Sequence, residues 1–146
     1  MYVPFPYPSK RYVDGKQLQE LLEDFPDQIP SVNQVEVHPY NIQKDITSFC
    51  QEKGIVVQAY VPLAKAMGMA HPMVTELSRK YRCTPAQLMI RWSLQNGYVP
   101  LPKSVHRERI VENGNVEGFE IVDGDMAALD RLDEKLVTTW DPTVVL

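Results

Sequence analysis

Apolar residues recur at helical spacing in one stretch and crowd into short runs in the next, and the two patterns alternate along the chain. Leu18, Leu21, Leu22 and Phe25 fall three and four apart, which predicts a helix over residues 16–25, ended by Pro26 and Pro30. Val32, Val35 and Val37, bounded by Pro30 and Pro39, predict a strand over 31–37. Ile42, Ile46, Phe49 and Cys50 share one face of a helix over 42–53, and Gly54 supplies its C-terminal stop. Residues 55–60 are almost continuously apolar, as expected of a parallel strand buried on both faces. A loop over 61–71 leads to a helix over 72–81. The next helix, ending near Gln95, has Thr84 as its cap and Pro85 at its first position. Asn96 and Gly97 stop that helix, and a third strand covers 98–101. Helices follow over 107–113 and from a capping Asp123 to about Leu132, with Met126, Leu129 and Leu132 facing inward; residues 116–121 between them read as short and extended. Prolines at 4, 6 and 8 leave the N-terminal residues irregular, and 134–146 read as an irregular tail.

Strands that alternate with helices imply βαβ units and a parallel sheet. The expected organisation is an irregular segment over 1–15 followed by one α/β unit over 16–146, with no repeat beyond the alternation. Hydrophobic content of 44% against 23% charged is the balance of a soluble globular chain. The net charge of −4 argues against a general nucleic-acid binder, so any cationic site must be local. No apolar run reaches membrane-spanning length and the first residues carry no signal pattern, so no membrane partner and a cytoplasmic location are expected. Cys50 and Cys83 match no metal or redox spacing and read as free thiols.

A local concentration of positive charge follows the third strand. Lys103, Ser104, His106, Arg107 and Arg109 surround a turn that enters a helix, with Ser104 placed to cap it. Free N–H groups and the dipole at a helix start favour an anion, and Lys103 and Arg109 add two full charges. The same pattern also describes a solvated basic turn before a surface helix.

Four segments decide between these readings by resemblance. Pro102-Lys103-Ser104 with Arg109-Ile110 and Glu112-Asn113 resembles the coenzyme clamp of the aldo-keto reductases, NADP(H)-dependent carbonyl reductases built on a (β/α)8 barrel. Val32-Asn33-Gln34-Val35-Glu36-Val37-His38-Pro39-Tyr40 resembles a strand of that family, Ala59-Tyr60-Val61-Pro62-Leu63 another strand end, and Thr84-Pro85-Ala86-Gln87-Leu88 with Arg91-Trp92 one of its helices. The order is kept over residues 16–133. The Leu101 to Ser104 clamp and the Trp140-Asp141-Pro142-Thr143 tail resemble fungal members in particular.

The resemblance implies a cofactor set of Gln34, Tyr60, Lys103, Ser104, Val105, Arg109, Glu112 and Asn113. Gln34 would hold the nicotinamide carboxamide and Tyr60 would stack on the nicotinamide ring. Lys103 and Arg109 would grip the 2′-phosphate that distinguishes NADP(H) from NAD(H), assisted by Ser104. Glu112 and Asn113 would contact the adenine. Val61 and Ala64 depart from the serine and glycine usual in the pyrophosphate loop. Glu36 and His38 share a strand side and suggest an acid/base pair, but the resemblance makes this histidine structural. The Asp, Tyr, Lys and His tetrad of the family has no matching motif here, so no catalytic residue is assigned.

A (β/α)8 barrel takes roughly 250 residues, and 146 hold only part of one, about three strands with flanking helices. The expectation is therefore a truncated aldo-keto reductase-like oxidoreductase that keeps the NADP(H) half and is inactive alone. It would act on a small carbonyl substrate only when the missing strands complete it, within an oligomer or with a complementing chain. The alternative is a non-catalytic module that binds NADP(H) for regulation or caps a partner.

Overall fold

The computed structural model describes residues 15–139. The proline-rich N-terminal residues and the Trp140 to Thr143 motif lie outside them.

The alternation of patterns becomes an alternation of elements. They are α1 (Gly15–Asp24), β1 (Val32–Glu36), α2 (Lys44–Glu52), β2 (Val56–Tyr60), α3 (Pro72–Tyr81), α4 (Pro85–Gln95), β3 (Val99–Leu101), α5 (Arg107–Gly114) and α6 (Asp123–Asp130), with a short 3-10 turn at Ala64–Ala66. The strands form one parallel sheet in the order β1-β2-β3. This is the three-stranded part of a barrel that the sequence predicts.

One face of the sheet is packed and the other is open. Val35, Val37, Val57 and Ala59 are buried with Leu18, Ile46, Cys50, Val74, Leu88, Met89, Trp92, Ile121 and Leu129 of the surrounding helices and loops. On the other face Val32 lies in register with Val56, and both are 44% exposed; Val99 and Leu101 are also exposed. The expectation that 55–60 is buried on both faces therefore fails. Residues on a strand alternate sides, and only one side of this sheet has helices against it.

Local chemistry sets most of the element ends. Thr84 and Gln87 form a reciprocal capping box at the start of α4, with Pro85 in its first turn. Gly54, at φ +70°, turns the chain out of α2 toward β2, a conformation open to glycine at no steric cost. Two expected caps are not used. The residue before α5 is His106, which makes no side-chain cap, and Ser104 instead accepts a hydrogen bond from the His106 N–H at 3.1 Å. That bond makes a serine turn two residues ahead of the helix. Asp123 is the first residue inside α6, where its charge favours the dipole; Val122 holds the cap position without a side-chain bond. Residues 116–121 form no strand, although Val116 and Ile121 are buried. Both thiols are free: Cys50 is buried, and burial pushes Cys83 up to about 11, which leaves it protonated at neutral pH.

Candidate functional site

The ends of the three strands define the C-terminal edge of the sheet. Glu36, Tyr60 and Leu101 end their strands in register with one another. Gln34 and Gln58 face each other two residues earlier, and the Gln34 Nε2 donates to Gln58 Oε1 at 3.0 Å. That bond leaves the Gln34 amide oxygen and a second N–H for another partner. Both glutamines and Tyr60 are half-buried on the face left open by the helices.

Two residues beyond Leu101, Lys103 leaves the same sheet edge, and α5 begins four residues later. Lys103, Val105 and Arg109 are exposed, and neither cation has an ion pair among the described residues. The first turn of α5 has no side-chain cap. Unused N–H groups, a helix dipole and two cations thus meet at one surface turn, a combination suited to a phosphate. Glu112 and Asn113 lie at the other end of α5. Glu112 is already engaged: its carboxylate accepts the Thr84 hydroxyl at 2.6 Å. Asn113 is buried.

The turn after β2 is strained. Val61, Ala64, Lys65 and Ala66 have φ of 51°, 46°, 50° and 68°. Left-handed backbone costs a non-glycine residue of the order of 1–3 kcal/mol, more readily borne where surrounding contacts enforce it. At Ala64 it accounts physically for a glycine-favouring position. Just beyond it the Tyr40 hydroxyl donates to the Gly68 carbonyl at 2.6 Å, and its ring sits where a Gly68 side chain would be.

The Glu36–His38 pair is buried, with Glu36 3% and His38 0% exposed, and the His38 Nε2 lies 3.2 Å from Glu36 Oε1. A carboxylate on Nε2 places the ring proton there and leaves Nδ1 bare; Nδ1 has no partner among the described residues. Burial lowers the pKa of His38 against the raising effect of Glu36, so the ring stays neutral. Burial also raises that of Glu36, but hydrogen bonds from Thr138, Thr139 and His38 outweigh it and hold the carboxyl below its ordinary value.

These threonines are the part of the site that sequence reasoning missed. The tail that reads as irregular has no regular element over 134–139, yet it is moored. The N–H groups of Glu134 and Leu136 both donate to the Tyr40 carbonyl. Thr138 gives its N–H and hydroxyl to Glu36 Oε1 at 2.8 and 2.6 Å, and Thr139 gives its N–H and hydroxyl to Oε2. The Thr139 hydroxyl also meets the Tyr60 hydroxyl at 3.0 Å, and the Lys65 ammonium donates to the Thr138 carbonyl. A carboxylate buried at a strand end demands donors, and that demand was the available signal.

The arrangement was compared with known proteins. The model of the Aldo/keto reductase family matches residues 13–134. An uncharacterised oxidoreductase of Schizosaccharomyces pombe is 42% identical over 127 residues, covering 87% of this chain and 46% of that protein. The glyoxal reductase of Bacillus subtilis is 36% identical, over 86% of this chain and 50% of its own. Among solved structures, a Gox0644 mutant in complex with NADPH superposes with a TM-score of 0.84 at 31% identity, covering 92% of this chain and 49% of that one. A Bombyx mori aldo-keto reductase in complex with NADP gives 0.80 at 27% identity, with 91% and 46% covered. The chain spans about half the length of the curated relatives it matches. Among the described residues no helix is long and apolar enough to cross a membrane, and no cluster of potential metal ligands occurs.

Proposed function

The chain belongs to the aldo/keto reductase family, and from that membership we propose that it supplies the NADP(H)-binding half of a carbonyl reductase. One observation carries the reading: Tyr60 ends β2 with Gln34 on the same open face, and the loop that leaves the neighbouring strand end at Leu101 carries the unpaired cations Lys103 and Arg109 into the uncapped start of α5. The donor set fits the group. Gln34 retains an acceptor and a donor for a carboxamide, and Tyr60 offers an aromatic face. Lys103, Arg109 and Ser104 offer charge and hydrogen bonds to a 2′-phosphate. Val105 belongs to the same turn, and Glu112, already held by Thr84, and the buried Asn113 would meet the adenine at the far end of α5. NADPH, when bound, supplies the hydride; the residues here bind and orient it. Carbonyl reduction further requires a proton donor, which the strands completing the barrel would bring.

The exposed row of Val32, Val56, Val99 and Leu101 favours a second reading, in which this half-barrel binds NADP(H) without chemistry of its own and covers a partner. Calorimetric titration with NADPH and NADH tests the cofactor site common to both readings. The expected result is tighter binding of NADPH by about tenfold or more, the worth of one or two charge-assisted contacts. Equal affinity, or no binding at millimolar concentration, would leave only the fold.

A further inference from the structure

Glu36 has a surplus of donors for a simple fold staple. Five converge on its carboxylate: the N–H and hydroxyl of Thr138, the N–H and hydroxyl of Thr139, and the His38 Nε2. Both Thr138 donors and His38 reach Oε1, and Oε2 takes the two Thr139 donors, five in all against about four lone-pair sites. Thr139 does something more. Its hydroxyl proton is committed to Glu36 Oε2, so only its lone pairs remain to meet the Tyr60 hydroxyl, and Tyr60 must be the donor in that 3.0 Å contact. The order of donation therefore runs from Tyr60 to Thr139 to Glu36. A second tie runs in parallel, from the Lys65 ammonium on the strained turn after β2 to the Thr138 carbonyl. The tail thus holds the far end of the tyrosine side chain and, through Lys65, the turn that follows it. Both anchor on a residue in register with Tyr60 on the neighbouring strand.

We propose that Glu36 is a positioning residue for the cofactor: through Thr138 and Thr139 it moors the 134–139 segment so that the Tyr60 ring and the Lys65 turn are set before a nicotinamide arrives. This rests on the reading of Tyr60 as the nicotinamide platform. A tyrosine ring that serves as a flat surface is of use only in one orientation. Freezing its side-chain rotation costs entropy, and a bond at the hydroxyl, which lies on the ring axis, fixes in advance where that axis points.

The test separates the two ends of the cofactor. NADPH and 2′-phospho-ADP-ribose share the clamp-binding portion, and only NADPH carries the nicotinamide. Thr139→Val removes the relay hydroxyl and leaves Thr138 on Glu36; Glu36→Gln replaces an acceptor pair by an amide that must donate on one side. In both variants NADPH affinity is expected to fall about three- to tenfold, the range for one neutral hydrogen bond, with 2′-phospho-ADP-ribose binding unchanged. In the cofactor-free protein, amide hydrogen exchange over 60–65 should quicken in Thr139→Val by more than its overall loss of stability accounts for. Equal losses for both ligands, or none for either, would overturn the positioning role. Tighter NADPH binding by Thr139→Val would overturn it too, by showing the segment to be an obstruction over the site. Unchanged exchange over 60–65 would overturn the mooring even with cofactor binding intact. Binding of neither ligand by the parent chain would remove the cofactor reading and the platform role together, while the exchange result still reports on the mooring.

Discussion

The Thr84 hydroxyl donates to the Glu112 carboxylate at 2.6 Å, which joins the cap of α4 to the C-terminal half of α5. The same hydroxyl accepts the Gln87 N–H, and the Gln87 amide donates to the carbonyls of Glu112 and Asn115. The capping box is thus also the seat of the helix whose first turn bears the clamp. Thr84→Val keeps the shape of the side chain and removes both cap and latch, so a loss of about 1–2 kcal/mol is expected. Glu112→Gln retains an acceptor and should cost less. Urea unfolding of the two variants checks the ranking, and a larger loss for Glu112→Gln would contradict it.

Acid should destabilise the protein in two stages. His38 has a folded pKa below 6.5, so the unfolded chain takes up a proton first; its contribution is full above 6.5 and declines as the pH falls below it. Glu36 has a folded pKa below 4.5, so its contribution is full above 4.5 and is lost as the pH falls through the folded value. The unfolding free energy should slope downward from near neutrality and steepen below 4.5. Thr138→Val removes one of the hydrogen bonds that lower the Glu36 pKa, so its curve should start lower and be flatter below 4.5. Denaturant titrations from pH 7 to pH 3 measure both curves, and parallel slopes would refute the assignment to Glu36.

A side chain at Gly68 would meet Tyr40. A Cβ built there lies 1.9 Å from the Tyr40 Cε2, and Tyr40 is itself 4% exposed, with burial and the Glu134 charge raising its phenol to about 12. Gly68→Ala should cost about 1–3 kcal/mol by overpacking. In a Tyr40→Ala background the same substitution should cost much less, because the obstructing ring is gone. Equal costs in the two backgrounds, read from thermal melts, would place the strain elsewhere.

How much of this was legible in the sequence follows the range of each signal. Helix faces such as Leu18 with Leu21, and caps such as Thr84 with Pro85 after it, are local, and the structure places them within a residue or two of expectation. The open sheet face was not legible at 55–60, because an apolar run reads the same whether its second side is covered by helices or awaits other strands. Ser104 misled because a serine ahead of a helix can cap it or close a turn one step earlier, and only the backbone at His106 decides. Thr138 and Thr139 were missed for a different reason, since the demand of Glu36 for donors does not say which residues meet it. Neither is part of a periodic pattern, and their partner Glu36 lies 102 residues earlier in the chain. Gln34 and Tyr60 are candidates through resemblance to family motifs alone, whereas local charge also points to Lys103 and Arg109.

The isolated chain should not reduce aldehydes. This follows from the proposed reading as a cofactor-binding half without the family's proton donor, since general-acid assistance contributes roughly 10²–10⁴-fold. NADPH absorbance followed with a panel of aromatic aldehydes gives the answer. Turnover near ~1 s⁻¹, ordinary for an enzyme, would mean that other residues here donate the proton.

The clamp makes the most discriminating prediction. Lys103 and Arg109 are exposed and have no carboxylate partner among the described residues, so removing either charge leaves nothing unpaired behind and should not disturb the fold. A contact from either to a 2′-phosphate is charge-assisted and contributes roughly 1.5–3 kcal/mol, or about tenfold or more in affinity. Lys103→Met and Arg109→Ala should each weaken NADP(H) by that factor and leave NAD(H) unchanged, since NAD(H) lacks the phosphate. Salt should reproduce part of the effect on the parent chain, because both charges are at the surface and a Debye length is about 8 Å at physiological ionic strength. Glu112→Ala should behave differently. It should weaken both cofactors alike, through the shared adenine, and lower stability as well, because the Thr84 hydroxyl loses its acceptor. Titration of the three variants with both cofactors separates these outcomes. If Lys103→Met and Arg109→Ala weakened NAD(H) as much as NADP(H), the turn would be acting on the fold rather than on a phosphate. If neither variant affected either cofactor, it would be an ordinary solvated basic turn.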